Sequence, residues 1–189
     1  MNLQCIVEGK GEEHALPVLI RRIAPHVSVN RPWRSSKDRL LKDHELEREI
    51  QTVSELMGSG GAILVLLDAD KHCPAVLGPK LLQRARSARP DREIVVAIAK
   101  AEFENWFLAA ARSLRGKRGL PGDLEPPADP ESVRGAKEWL AKQRGSPYSP
   151  TIDQPAFASL FDLQEARQNS PSFRRFERLL LDLFATGRP

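Results

Sequence analysis

Two carboxylate-bearing stretches have the residue types and spacing for metal-assisted chemistry. The first is Val7-Glu8-Gly9-Lys10-Gly11-Glu12-Glu13, an apolar run that stops at a glutamate and two glycines. The second, about sixty residues later, is Leu64-Val65-Leu66-Leu67-Asp68-Ala69-Asp70, the most hydrophobic run of the chain, closing on two aspartates. Residues two apart on an extended chain leave the same face with Cα atoms roughly 6 to 7 Å apart, so Asp68 and Asp70 are expected to converge on one cation. Glu8 joins them if the two runs are neighbouring strands, because open parallel sheets place their sites outside the C-terminal strand ends. Carboxylates that close repel one another, and one takes up a proton unless a cation compensates. Hard oxygen ligands of this kind suit magnesium or manganese. Such ions stabilise the attacking and leaving oxygens of a phosphodiester displacement.

The glycines and the lysine also raise the question of a nucleotide phosphate loop. That loop needs four residues between its first glycine and its Gly-Lys pair, then Ser or Thr. Here Gly9-Lys10-Gly11 runs into Glu12 and Glu13, and three glutamates repel the phosphates such a loop would cradle. The carboxylates therefore take precedence, with the glycines expected to leave room for a phosphate beside Glu8 and Lys10 expected to touch it. Lys71 and Lys100 adjoin other acidic residues, and His14 and His72 are candidate proton carriers; for all four the alternative is a solvated surface residue.

The elements that must position these residues read as alternating strands and helices. Leu3 to Val7 is a short buried strand, followed from Glu12 by apolar residues at helical spacing. His26 to Asn30 alternates weakly as a second strand, and Ser36 to Met57 predicts one long helix with Leu40, Leu41, Leu46, Ile50, Val53 and Leu56 inward. Ala62 to Leu67 lacks alternation, as a strand covered on both faces does. A helix over Ala75 to Ala88 and a strand over Glu93 to Ala99 complete a parallel α/β pattern. Helices are then expected over Glu102 to Leu114, Glu131 to Lys142, Gln154 to Arg167 and Ser172 to Phe184, the last behind a Ser170 cap with Pro171 at its first position. The Gly- and Pro-rich residues 115–130 read as an exposed loop. Residues 1–110 thus form an α/β core, and 111–189 a helical extension packed on it rather than an independent domain.

Composition narrows the class. With 41% hydrophobic and 29% charged residues the chain is not generally disordered, and no apolar run approaches the ~20 residues that span a bilayer. Glutamates in the first turns do not suit a signal peptide, so a cytoplasmic protein is expected. Cys5 and Cys73 show neither zinc spacing nor a disulfide framework. A net charge of +4 permits a polyanionic partner without demanding one. Arg115, Lys117 and Arg118 in the loop, and Arg174, Arg175 and Arg178 on the last helix, are candidate backbone contacts that a solvated face explains equally well.

The pair "VEGKGEE" and "LVLLDAD" resembles the Toprim fold of topoisomerases, primases and OLD-type and ribosomal RNA maturase nucleases, over about the first 100 residues. More narrowly, with "AEFENWFLAA", "YSPTIDQPAF" and "SFRRFERLL", nearly the whole chain resembles the bacterial Toprim-like family DUF4276. The resemblance implies a Rossmannoid parallel sheet flanked by helices. It implies that Glu8 stands at the Toprim glutamate, as metal ligand or general acid/base, and that Asp68 and Asp70 stand at the Asp-x-Asp places. Glu12 fits the second acid of the OLD-type form, with Glu13 its alternative and helix-dipole complementation the competing explanation. Glu104, and less strongly Glu102, could complete the acidic cluster, while Trp106 and Phe107 read as core. The family implies an AAA or ABC-type ATPase partner and a role in antiviral defence.

The expected activity is therefore a magnesium- or manganese-dependent nuclease acting on DNA or RNA, with Lys10 steadying the developing charge. A topoisomerase fits poorly, since the sole tyrosine, Tyr148, lies in a proline-flanked segment. The alternative from another class is a non-catalytic scaffold that docks on an ATPase; an Asp-x-Asp phosphatase with Asp68 as nucleophile is less apt, because that motif usually closes the first strand.

Overall fold

A computed structural model describes residues 2–185. The described residues form a five-stranded parallel sheet from β1 (Asn2–Val7), β2 (Ser28–Val29), β3 (Trp33–Arg34), β4 (Ala62–Asp68) and β5 (Glu93–Ala99). β4 lies between β1 and β5, while β2 and β3 share the other edge of β1. The alternating stretch after His26 thus yields only two strand residues, and β3 is an addition that sequence pattern did not signal. The two pieces act as one interrupted strand: β2 registers on Asn2 and Leu3, and β3 on Ile6 and Val7. Between them Gln4 Nε2 donates to the Arg31 carbonyl at 2.8 Å, next to Pro32, which has no N–H to offer the ladder.

The sheet is covered on both faces, which is why its long strands are continuously apolar. Leu64 and Leu66 pack with Leu3, Cys5, Val7, Val95 and Ala97 on one side; Ile63, Val65 and Leu67 pack with Ile6, Ile94, Val96 and Ile98 on the other. Asp68 shares the parity of Leu64 and Leu66 and so belongs to the first side.

That first side is covered by α1 (Lys10–Ile23) together with the C-terminal helices; the second by α2 (Lys37–Leu41), α3 (Glu45–Met57) and α4 (Pro74–Ala88). The single helix expected over Ser36 to Met57 is broken between α2 and α3, where His44 is left-handed at φ 63°. Arg84 of α4 explains the break. Its guanidinium donates to the Leu40 carbonyl (3.2 Å), the Lys42 carbonyl (2.8 Å) and Glu47 (2.7 Å), satisfying backbone groups that a continuous helix would have paired internally. Leu56, expected inward, is 71% exposed.

After β5 come α5 (Asn105–Ala109), a 3₁₀ turn over Ala111–Leu114, α6 (Ala136–Arg144), α7 (Pro150–Leu160), α8 (Leu163–Asn169) and α9 (Pro171–Ala185). The helix expected over Gln154 to Arg167 is two, because Asp162 accepts from Glu165 N at 2.7 Å and starts α8 afresh. Ser170 Oγ accepts from Phe173 N at 3.0 Å, the expected cap of α9. Trp106 stacks on Phe176 with centroids 4.9 Å apart, and Phe107 meets Phe161 at 5.4 Å. These rings belong to the same buried cluster as Leu3, Leu64 and Val95, so the C-terminal helices share the core of the sheet. That shared core sets α7 against α1. Both cysteines are free, Cys5 buried and Cys73 exposed. Among the described residues no helix is long and apolar enough to cross a membrane.

Candidate functional site

A cleft of about 470 Å³ opens at the C-terminal ends of β1 and β4. Glu8 follows β1, Glu12 lies in the first turn of α1, and Asp68 is the last residue of β4; all three line it, with Lys10 and Asp70. Glu104, immediately before α5, is fully buried behind them. The C-terminal helices contribute Lys137, Thr151 and Gln154. The two glycines of the first stretch serve these side chains rather than a phosphate. A Cβ on Gly9 would fall 2.4 Å from Glu12 Oε2, and one on Gly11 only 1.7 Å from Gln154 Oε1.

Three of the acids, Glu8, Asp68 and Glu104, are held above their ordinary range. Glu8 Oε2 and both carboxylate oxygens of Glu104 are buried and have no hydrogen-bond partner among the described residues. Burial pushes the Glu104 carboxyl up to about 7, against the pull of Lys137, whose Nζ stands 3.6 Å from Oε2. Burial likewise drives Asp68 well above the carboxylate range, and the charges of Glu12 and Glu104 add to it. Glu8 is raised by its burial too, with Lys37 opposing and Glu12 reinforcing. Acids in this condition are completed by a proton or by a cation. Tyr148 lies beside Glu104 with a buried hydroxyl that burial and that charge keep neutral.

Asp70 departs from the expected geometry. β4 ends at Asp68, and Asp70 is left-handed at φ 46°, its N–H donating to the Ala101 carbonyl at 3.1 Å. The two aspartates therefore do not leave one face of an extended strand. The Asp70 carboxylate, half exposed, is ion-paired to the buried Lys37, and Arg134 donates to the Asp70 carbonyl. Lys37 Nζ also donates to the Asp68 carbonyl at 3.2 Å.

Other candidates have structural work. Glu102 accepts from Gly135 N (2.8 Å) and Ala136 N (3.2 Å), capping α6. Glu13 is engaged by Arg31 at 2.8 Å. Lys71, Lys100, His14 and His72 are exposed and outside the main cleft, although Lys71 and His72 line an adjoining hollow with Lys37, Asp70 and Arg134. Arg115 donates to the Leu124 carbonyl and Arg118 pairs with Asp153, whereas Lys117, Arg174, Arg175 and Arg178 face solvent. Trp106 and Phe107 are core.

Among the described residues no three His, Cys, Asp or Glu side chains are arranged to hold a metal ion as they stand. The fit rests instead on donor chemistry and on the unpartnered oxygens. Glu8, Asp68 and Glu104, with Glu12, supply only hard oxygens, the set that suits magnesium or manganese. Asp70 could join by releasing Lys37. Sequence reasoning missed Lys37, Lys137 and Thr151 and gave Gln154 no role beyond the start of a helix. The one usable signal was that Gln154 falls in the "YSPTIDQPAF" segment.

Neither the curated proteins nor the solved structures include a match to this chain. One family model matches residues 7–181, which takes in every acid of the cleft and both α1 and α7. The chain belongs to the family described as a domain of unknown function, DUF4276.

Proposed function

We propose that this protein is a divalent-cation-dependent phosphodiesterase of the Toprim class that cleaves nucleic acid. The observation that carries the reading is the set of buried carboxylate oxygens on Glu8 and Glu104, without a hydrogen bond among the described residues, beside an Asp68 held above its normal range in an open cleft. Leaving such groups unsatisfied costs on the order of 1–3 kcal/mol each, which a bound cation offsets. Magnesium or manganese, when bound, supplies Lewis acidity and a nucleophilic water at neutral pH.

The protein's own groups have distinct tasks. Glu8, Asp68 and Glu104 bind, with Glu12 assisting from the start of α1. Exposed Lys10 on the cleft wall holds a phosphate oxygen and steadies charge that develops on it. Lys37 keeps Asp70 at the mouth of the cleft. The test is incubation of plasmid DNA, single-stranded DNA and tRNA with magnesium or manganese, alone and with an AAA or ABC-type ATPase encoded beside it. Cleavage that disappears in Glu8→Gln and Asp68→Asn supports the reading; variants that cut as well as the parent overturn it.

The ATPase partner, the defence role and a cytoplasmic setting are proposed from the family resemblance. One observation favours the alternative of a binding component that does no chemistry: Lys137, 3.6 Å from Glu104 and 3.7 Å from Glu102, already gives the acids an internal counter-ion. Divalent-ion affinity separates the two, since a scaffold neutralised by Lys137 has no need of one.

A further inference from the structure

The C-terminal extension contributes a side chain that no acidic motif explains. Gln154, on α7, is fully buried yet lines the cleft. Its Nε2 donates to Glu12 Oε1 at 3.1 Å. Its Oε1 has no hydrogen-bond partner among the described residues. The amide is oriented with its NH₂ toward Glu12, whose carboxyl oxygen accepts from it. The carbonyl oxygen is therefore turned away from Glu12, over Gly11, where any side chain on that glycine would strike it.

We propose that Gln154 belongs to the cation site, its Nε2 fixing Glu12 and its free Oε1 serving as a neutral oxygen donor toward the hydrated divalent ion. This rests on the reading of the cleft as a cation site. The chemistry favours an amide at this place. Glu8, Glu12, Asp68 and Asp70 already line one cleft, with Glu104 buried behind them. A further carboxylate would add repulsion, whereas a carboxamide offers the same hard oxygen without charge. Gly11 is explained at the same time: the second residue of α1 lacks a Cβ because α7 places this carboxamide against it. The extension thereby becomes part of the site, and Gln154 is a positioning residue that acts on the cation and on Glu12.

The test measures Mn²⁺ binding to the full chain by calorimetry, after removal of metals with chelator, for the parent, Gln154→Met, Gly11→Ala and Glu8→Gln. Methionine preserves the volume and removes both polar atoms; alanine at position 11 displaces the same carboxamide from the other helix. Both are expected to weaken Mn²⁺ affinity about 10- to 100-fold, as loss of an outer-shell partner does. In chelator Gln154→Met should still melt cooperatively, the loss of the Glu12 hydrogen bond being offset in part by removal of a buried unsatisfied oxygen. A Gln154→Met affinity within twofold of the parent, while Glu8→Gln has lost binding, overturns the role of Gln154 and leaves the cation site standing. A parent that binds no Mn²⁺, or a Glu8→Gln that binds as well as the parent, overturns both.

Discussion

Two sets of buried acids in this protein are treated in opposite ways. Asp153, at the foot of α7, is closed on every side: Arg144 grips it at 2.6 and 3.0 Å, Arg118 reaches it at 3.3 Å, and Ser149 N donates at 2.7 Å. Burial would raise its carboxyl, but the Arg144 and Ser149 hydrogen bonds outweigh it and hold the group below its usual value. Glu49 takes the Trp33 indole at 2.6 Å and Ser35 at 3.1 Å, and Glu131 takes Ser170 at 2.5 Å and Ser172 N at 2.8 Å. Glu104, equally buried, has no hydrogen bond to either oxygen among the described residues, only Lys137 at 3.6 Å, and is driven up to about 7. The fold can evidently satisfy a buried carboxylate with its own donors. Where it leaves several unsatisfied around one cleft, the missing partner is best sought outside the chain.

If this division between closed and open acids is sound, substitutions on its two sides should have opposite signatures. The largest effect falls on activity. Glu8→Gln and Asp68→Asn should reduce divalent-ion-dependent nucleic-acid cleavage to background while leaving the chelator-treated fold at least as stable as the parent, read by gel assay and thermal melts. On the closed side, Asp153→Ala should cost about 3 kcal/mol in a urea denaturation, because it strands Arg144 without its buried partner. Metal affinity should not change directly with it.

A third substitution reverses that sign. The unfolded chain releases the Glu104 proton near 4.5 and the folded one near 7. Between those values the folded state holds more protons, so the contribution of Glu104 to stability falls as pH rises through the window and levels off above it. Glu104→Gln in chelator should therefore be more stable than the parent by about 3 kcal/mol at pH 8, with the gain gone by pH 4. A parallel pair of stability–pH curves would place Glu104 among the closed acids. The smallest effect is expected of Gly9→Ala, whose added methyl lies 2.4 Å from Glu12 Oε2. Moving Glu12 should weaken Mn²⁺ binding about tenfold and shift the thermal midpoint little.

The open acids were partly legible in the amino-acid sequence, and the reason is local. A continuous apolar run ending in an acid already says that a doubly covered strand delivers a carboxylate to a strand end, which is how Glu8 and Asp68 declare themselves. What the pattern could not carry is decided by residues far away in the chain. Asp70 turns left-handed under the Ala101 carbonyl and pairs with Lys37. The helix between β3 and β4 breaks because Arg84, on the next helix, captures its carbonyls. Gln154 reaches Glu12 only because the aromatic cluster of Trp106, Phe157 and Phe161 sets α7 against α1. Gly9 and Gly11 were visible from the start, but the side chains that require them are seen only once the helices are packed.

The open acids, on this reading, bind a divalent cation. Calorimetric titration of Mn²⁺ into the chelator-treated protein tests this directly, with Asp68→Asn as the open-side variant and Glu49→Gln as the closed-side one. Saturable binding in the parent and in Glu49→Gln, lost in Asp68→Asn, is the result predicted. Absence of saturable binding to the parent, or equal binding by Asp68→Asn, would contradict it.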